Sequence, residues 1–311
     1  MSNITHTIGS ITGVSSTGFL DYLAFTVPDE ATLENTVENL LGFPFKQFVM
    51  AASGRSGYRT RYEYGGIDLL TDGSNLGMGH NITLKGKACF RYQNQLKEIV
   101  AQVFAIGGHF TRCDLAIDDF QGLLEMDEIQ LTVRSGLVTA RFSKVKEFTE
   151  YDRKTGQTVG RGAYFGSRKS DVFLRIYDKA LEQKKDHHWV RIELELKNSK
   201  ADAALKLVET QDVGDAVRGV LKDRLSFREK GAGVNRSRWP VAKWWELFLD
   251  AAKKLKLTSC DSNASTQEER LKWFMSNAAT FAELIQVHGP EIIKDWYLEG
   301  ARRLEMREGK C

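Results

Sequence analysis

Read for the spacing of its apolar and polar positions, the chain changes period several times. LDYLAFTV (20–27) has the alternation of a β-strand, and DEATLENTVENLL (29–41) the spacing of an amphipathic helix, with Asp29 near its start and Gly42 just past its end. YRTRYEY (58–64) alternates strictly, so Tyr58, Thr60, Tyr62 and Tyr64 share one face and Arg59, Arg61 and Glu63 the other. Further strands are predicted at 67–71, 80–85 and 110–118. Between the last two runs QNQLKEIVAQVFAIGG (93–108), helical in spacing and stopped by Gly107 and Gly108. Strand patterns return from 137 to 197: around 137–147, around Tyr164, around Tyr177 and around Glu193, with turn signals at 154–156 and 166–170.

Beyond Lys197 the spacing turns helical, over 200–222, 240–256, 266–288 and 290–306. The segment RWPVAKWWELFLDAAKKLKL (238–257) opens a helix at Pro240, and a helical hairpin is predicted to turn at Gly289 and Pro290. The fold class expected is α+β, with mainly antiparallel β-sheets flanked by helices and an all-helical C-terminal region. The chain is divided into a flexible leader (1–19), a sheet-rich region (20–235) and a helical region (236–311).

At 311 residues, 42% hydrophobic and 27% charged, the chain has enough apolar content for one large or two smaller cores. Its net charge of +3 is the small difference between 44 basic and 41 acidic side chains, so a nucleic-acid surface has to come from charge placement. Cys89, Cys113, Cys260 and Cys311 stand far apart, unlike zinc ligands or a secreted disulfide framework, which fits a reducing cytoplasm. No basic start leads into an apolar stretch, and no run is long and apolar enough for a bilayer, so neither secretion nor membrane insertion is expected.

Three strand patterns gather the chemistry. In TRCDLAID (111–118), Arg112, Asp114, Ala116 and Asp118 share a face, setting two carboxylates either side of a small residue. In RIELELK (191–197), Arg191, Glu193, Glu195 and Lys197 share one. In FLRIYDK (173–179), Arg175 and Tyr177 lie together above Leu174 and Ile176. On neighbouring strands these would supply a hydroxyl nucleophile, hard oxygen ligands for Mg²⁺ or Mn²⁺, and cations for a phosphate. A phenol, with a pKa of about 10, needs a nearby cation or metal to attack as phenolate at neutral pH. The same alternation more often describes a solvated sheet face with cross-strand ion pairs, and the pattern alone favours that reading over a metal site.

FTRCDLAID (110–118), YFGSRKSDVFLRIYDK (164–179) and WVRIELELK (189–197), in this order and spacing, resemble the Rep_trans family of replication initiation factors. This HUH-related family includes rolling-circle plasmid initiators, filamentous-phage replication proteins and relaxases of integrative elements. The resemblance implies a metal-dependent, site-specific nickase that attacks one strand at the origin, leaving a 5′-phosphotyrosyl enzyme and a free 3′-hydroxyl primer. The nucleophile of the family's R-I-Y-x-K segment falls on Tyr177, with Tyr164 as its competitor and Arg175, Lys179 and Arg191 as assisting cations. The acidic strand positions make Asp114 and Glu193 the first metal ligands, with Asp118 and Glu195 behind them. His80 is read as structural rather than as a further ligand, and His187 and His188 as surface residues.

DNA contacts are expected from basic groups around the tyrosine strand, Arg161, Arg168, Lys169 and Lys197. Outlying clusters are Arg55, Arg59 and Arg61, and Arg228, Lys230, Arg236 and Arg238. The implied partners are origin DNA, single-stranded or as a hairpin, and a host helicase and polymerase; a homodimer is left open. Residues 20–235 would then be the catalytic domain, and 236–311 would bind DNA or oligomerise. Two alternatives stand beside the initiator: a relaxase with the same chemistry, and a non-catalytic DNA-binding regulator on the same scaffold.

Overall fold

The strand patterns join into one antiparallel sheet of ten strands. In the computed structural model, which describes residues 18–254, 274–275 and 278–308, the order across the sheet is β2 (Val49–Met50), β3 (Tyr58–Tyr64), β4 (Ile67–Gly73), β5 (His80–Lys85), β1 (Gly18–Val27), β6 (His109–Asp119), β11 (Val190–Lys197), β10 (Val172–Asp178), β9 (Thr158–Gly166) and β8 (Val145–Tyr151). A two-stranded sheet pairs β7 (Val138–Ala140) with β12 (Leu225–Phe227). The strands β1, β6, β11 and β10 form the middle, where β6 pairs with two strands, β1 and β11, that are far from it in sequence.

Alternation gives these middle strands an apolar face and a polar one. Phe25, Cys113, Leu115, Ile117, Leu174, Ile176, Ile192 and Leu194 point into the core and are almost wholly buried. That face is packed by α2 (Lys87–Arg91), α6 (Ser199–Thr210) and α7 (Val213–Arg224), with α3 (Leu96–Ala105) against α6 and α8 (Lys243–Lys254) against α7. The helices bury Cys89, Val100, Leu205, Val217 and Leu221 at helical spacing. Each large side chain fully buried this way contributes about 1.5–3 kcal/mol of transfer free energy.

Several boundaries differ from the sequence expectation. Helix α1 (Leu33–Leu41) begins four residues later than its acidic start at Asp29 suggests. The Ala31 amide bonds back to the Pro28 carbonyl at 3.1 Å, and Thr32 is extended at its N-cap. The helical stretch 200–222 is two helices, because the Asp212 carboxylate caps the Gly214 amide at 2.7 Å and restarts the chain as α7. The strand stretch 137–147 divides between β7 and β8, which lie in different sheets. Helices α4 (Met126–Arg134) and α5 (Lys179–Gln183) were not foreseen.

By packing, the chain divides into one compact unit within residues 1–258 and another within 259–311. The boundary drawn at residue 235 from the sequence falls inside the first unit. Trp245 is fully buried, with its ring centroid 5.0 Å from Phe227 and 5.5 Å from Phe248, so α8 belongs to the sheet's core. The expected leader lies, up to residue 17, outside the described residues, and Gly18 and Phe19 already belong to β1. In the second unit, helices Ala278–His288 and Ile292–Glu308 are joined at Gly289, whose φ of +80° suits glycine, and Phe281 meets Trp296 edge to face at 5.0 Å. The predicted helical stretch 266–288 lies partly outside the described residues.

Candidate active site

Antiparallel register sorts the polar face of the middle strands into rows. Asp118 pairs with Arg191 and Arg191 with Tyr177, forming one row. Ala116, Glu193, Arg175 and Tyr164 form the next, and Asp114, Glu195 and Phe173 the third. Residues as far apart in sequence as Asp114 and Glu195 thereby stand shoulder to shoulder.

The Tyr177 hydroxyl donates to Glu193 Oε2 at 3.0 Å. The other oxygen of Glu193 accepts from Arg175 Nη2, whose guanidinium also lies 3.6 Å from Asp114 and 3.9 Å from Glu195. Arg112 holds Asp114 with two hydrogen bonds, 2.7 and 2.6 Å, and reaches Glu195 at 3.0 Å; Lys197 lies 2.8 Å from Glu195. Three carboxylates that are 2–4% exposed are thus balanced by three cations. Such buried charge persists only when paired and hydrogen-bonded.

Burial decides the protonation of this group. It pushes the Tyr177 phenol far above its ordinary value, helped by the negative charge of Glu193 and opposed by Arg191. It also lifts Glu193 to about 7, with Arg175 opposing and Asp114 adding to the rise, and raises Asp114 against the pull of Arg112. A carboxylate held near neutrality and hydrogen-bonded to a phenol is well matched to accept that phenol's proton.

Among the described residues no three His, Cys, Asp or Glu side chains already converge on one metal-sized position. The cation inside the Asp114, Glu193 and Glu195 cluster is Arg175. The donor set nevertheless fits a divalent ion: the oxygens are hard, three carboxylates are gathered on one buried patch, and burial lifts two of them toward protonation, which a doubly charged cation would offset.

The remaining sequence candidates fall in distinct places. Asp118 stands apart from the acidic cluster and holds Arg191 with two hydrogen bonds, 2.7 and 2.8 Å. Arg191 lies over the rings of Phe19, at 4.7 Å, and Trp189, at 5.6 Å, which helps to hold its guanidinium in the row of Tyr177. Lys179 lies 5.5 Å from the Tyr177 ring and pairs with Glu182 at 2.6 Å. Arg168 lies over Phe173 at 5.9 Å, and its carbonyl accepts from Lys197, which brings that basic turn, with exposed Lys169, to the edge of the cluster. Arg161 is engaged with Asp178 at 3.1 Å and Asp127 at 2.9 Å.

Tyr164 packs against the rings of Phe148 and Phe173, and burial raises its phenol. His80 accompanies Ile82 and Leu84 on the opposite face and meets Thr71 at 2.9 Å, away from the carboxylates. His188, expected at the surface, is partly buried, with Nε2 3.4 Å from Asp119.

Sequence spacing missed Phe19, Asp21 and Tyr22. Phe19 pairs with Ala116 and Tyr22 with Asp114, so both join the site face although three positions separate them. A register shift between Leu20 and Tyr22 breaks the period of two. Tyr22 lies 4.4 Å from the Arg112 guanidinium, and Asp21 3.4 Å from Arg191.

A sheet face that assembles a phenol, buried carboxylates and fixed guanidiniums carries the groups that phosphodiester cleavage uses. The chain matches the family described as replication initiation factor over residues 108–296, and the rolling circle replication initiation protein N-terminal domain over residues 17–106. It is 25% identical over 269 residues to a putative DNA relaxase, NicK, of Bacillus subtilis (strain 168), a match covering 81% of this chain and 76% of that protein. It is also similar to the structure of a rolling circle replication initiator protein from Geobacillus stearothermophilus. That match has a TM-score of 0.71 and 25% identity, and covers 78% of this chain and 98% of that one.

The chain therefore belongs to the replication initiation factor family. It is a DNA-nicking initiator, a site-specific single-strand endonuclease and strand transferase.

Proposed function

We propose that Tyr177 is the nucleophile that opens one strand of the origin. The observation that carries this reading is the 3.0 Å hydrogen bond from its hydroxyl to Glu193, beside an arginine that Asp118 and two aromatic rings hold in place. As the phenol oxygen bonds to phosphorus, its proton passes to Glu193 Oε2. The 3′-oxygen leaves with the bonding pair and takes up a proton, giving a 5′-phosphotyrosyl enzyme and a 3′-hydroxyl from which synthesis starts. The covalent bond keeps the energy needed to rejoin the strand by the reverse step.

Arg191 and, at the edge of the row, Lys179 supply positive potential where the phosphate gathers charge. Nicking enzymes of this class generally depend on a metal ion. Asp114 and Glu193, with Glu195 beside them, would hold Mg²⁺ or Mn²⁺, and when bound the ion would draw charge from the scissile phosphate. Arg175 is the chain's own cation in that pocket and keeps Glu193 and Tyr177 aligned. Arg168, Lys169 and Lys197 line the approach for the strand, and Arg161 braces β9 behind it.

Catalysis is assigned to the sheet unit. The helices between 278 and 308 are left to bind duplex DNA or to associate with a second copy, and a host helicase and polymerase would take over the opened strand. The likeness to NicK across most of the chain supports a second physiological setting, transfer of an integrative element, with the same chemistry.

The test is incubation of wild-type and Tyr177→Phe protein with labelled single-stranded origin DNA, in Mn²⁺ or EDTA, read on denaturing gels. A metal-dependent covalent adduct that Tyr177→Phe abolishes is the expected result. DNA binding with no adduct from any origin strand would instead mark a regulator on the same scaffold.

A further inference from the structure

One more row lies beyond Tyr177. Val190 pairs with Asp119 and with Asp178, so the next positions outward are Phe120, Trp189 and Lys179, a two-residue step from the row of Asp118, Arg191 and Tyr177. Phe120 and Trp189 rings lie 5.3 Å apart, and His187 lies parallel to Trp189, at 6.1 Å and 12°. His187 also stands 6.1 Å from Phe120. Phe120 is 39% exposed and His187 is exposed, so these rings turn aromatic surface outward instead of closing the core.

We propose that Phe120, His187 and Trp189 form a stacking platform for one unpaired nucleobase next to the scissile phosphate. This rests on the reading that Tyr177 marks that phosphate. A strand whose phosphate lies at Tyr177 brings its neighbouring nucleotide over this row, because two residues along a strand advance about 6.6 Å. Lys179 in the same row and Arg191 in the next provide the cations that a phosphodiester on either side of the base requires. Aromatic faces accept any base, so the platform would hold the strand open and in register without reading sequence. The phosphate would be positioned by the cations and the sugar-phosphate chain kept from sliding by the stacked base.

The experiment is fluorescence anisotropy of the full chain in EDTA, with end-labelled (dT)20 and an otherwise identical 20-mer whose central residues are abasic. Wild type is expected to bind (dT)20 roughly ten-fold more tightly than the abasic strand, from the usual strength of base–aromatic stacking. Trp189→Ala and Phe120→Ser should each cut that preference by about three-fold or more, Phe120→Ser while binding the abasic strand as wild type does, and Trp189→Phe should restore part of what Trp189→Ala loses. Because Phe120 is partly exposed, Phe120→Ser decides the matter if Trp189→Ala does not fold. A preference for (dT)20 that survives both substitutions overturns the platform, even where Tyr177 still forms its adduct. A preference lost in both variants upholds the platform even if no adduct forms, an outcome that would overturn the nucleophile assignment alone.

Discussion

Replacing Arg175 by methionine puts the charge balance of the site to a direct test. The side chains of Asp114, Glu193 and Glu195 are 3–5% exposed, and Arg175 is the cation nearest the centre of the three. Asp114 keeps Arg112, and Glu195 keeps Arg112 and Lys197, so Glu193 is the acid left without its guanidinium. Removing one partner of a buried pair costs about 3–5 kcal/mol. With two of the three acids still paired, the low end applies, about 3 kcal/mol. For a unit of this size that lowers Tm by roughly 6–12 °C in EDTA.

The same change should favour a divalent ion. A unit charge at about 4 Å in an effective dielectric of 20 is worth about 4 kcal/mol, and only a fraction of that needs to survive screening to tighten Mn²⁺ binding by roughly ten-fold or more. Titration of Mn²⁺ by calorimetry or electron paramagnetic resonance, with melting curves in Mn²⁺ and EDTA, measures both effects. The expected result is a less stable metal-free Arg175→Met protein whose loss Mn²⁺ largely recovers. Equal or weaker Mn²⁺ binding than wild type would refute the carboxylate cluster as the metal pocket.

Other consequences follow from neighbouring residues. A Cβ added at Gly162 would stand 2.7 Å from Phe148 Cε1, 2.8 Å from the Ile176 carbonyl and 2.9 Å from Tyr177 Cβ. Gly162→Ala should therefore cost about 1–3 kcal/mol and slow adduct formation. Gly219→Ala, in helix α7 with nothing within 4 Å, should stabilise by up to about 1 kcal/mol and leave nicking unchanged. Because Glu193 is lifted to about 7 in the folded chain, the folded state binds more protons than the unfolded one between about pH 4.5 and 7. Stability in EDTA should then fall as pH rises through that window, and the part of this slope due to Glu193 should vanish in Glu193→Gln, as melting curves at each pH will show. A chain ended at residue 235 loses Trp245, Phe248 and Leu249 from the core and should aggregate on expression, whereas one ended at 258 should yield a cooperative melt.

The middle of the sheet was readable from the sequence because its alternation is nearly unbroken. Arg175 and Tyr177, Glu193 and Glu195, Asp114 and Asp118 each sit at even spacing over apolar neighbours, and that is how the strands place them. What stayed hidden lies where the period fails or where partners are distant in sequence. The shift at Leu20 and Tyr22 brought Phe19 and Tyr22 onto the site face unannounced. No spacing rule links Asp118 to Arg191 across 73 positions, so Asp118 reads as a ligand in sequence and stands as an arginine clamp in the fold. Helix α8 reads as part of a separate helical region because composition reports local polarity, while the burial of Trp245 is set by Phe227, in a strand 18 residues earlier.

The same alternation that builds the core also builds the site, which ties activity to register. Glu193 and Leu194 are adjacent, one facing Tyr177 and the other 1% exposed in the core. A one-residue slip of β11 would carry Glu193 and Glu195 into the apolar layer and Ile192 and Leu194 out of it. The cost of burying those carboxylates among leucines therefore disfavours every misregistered pairing, and the apolar strand faces disfavour exposing the alternative. The acids that make the site costly to bury thus help to specify the single register in which Tyr177, Glu193, Arg175 and Arg191 meet.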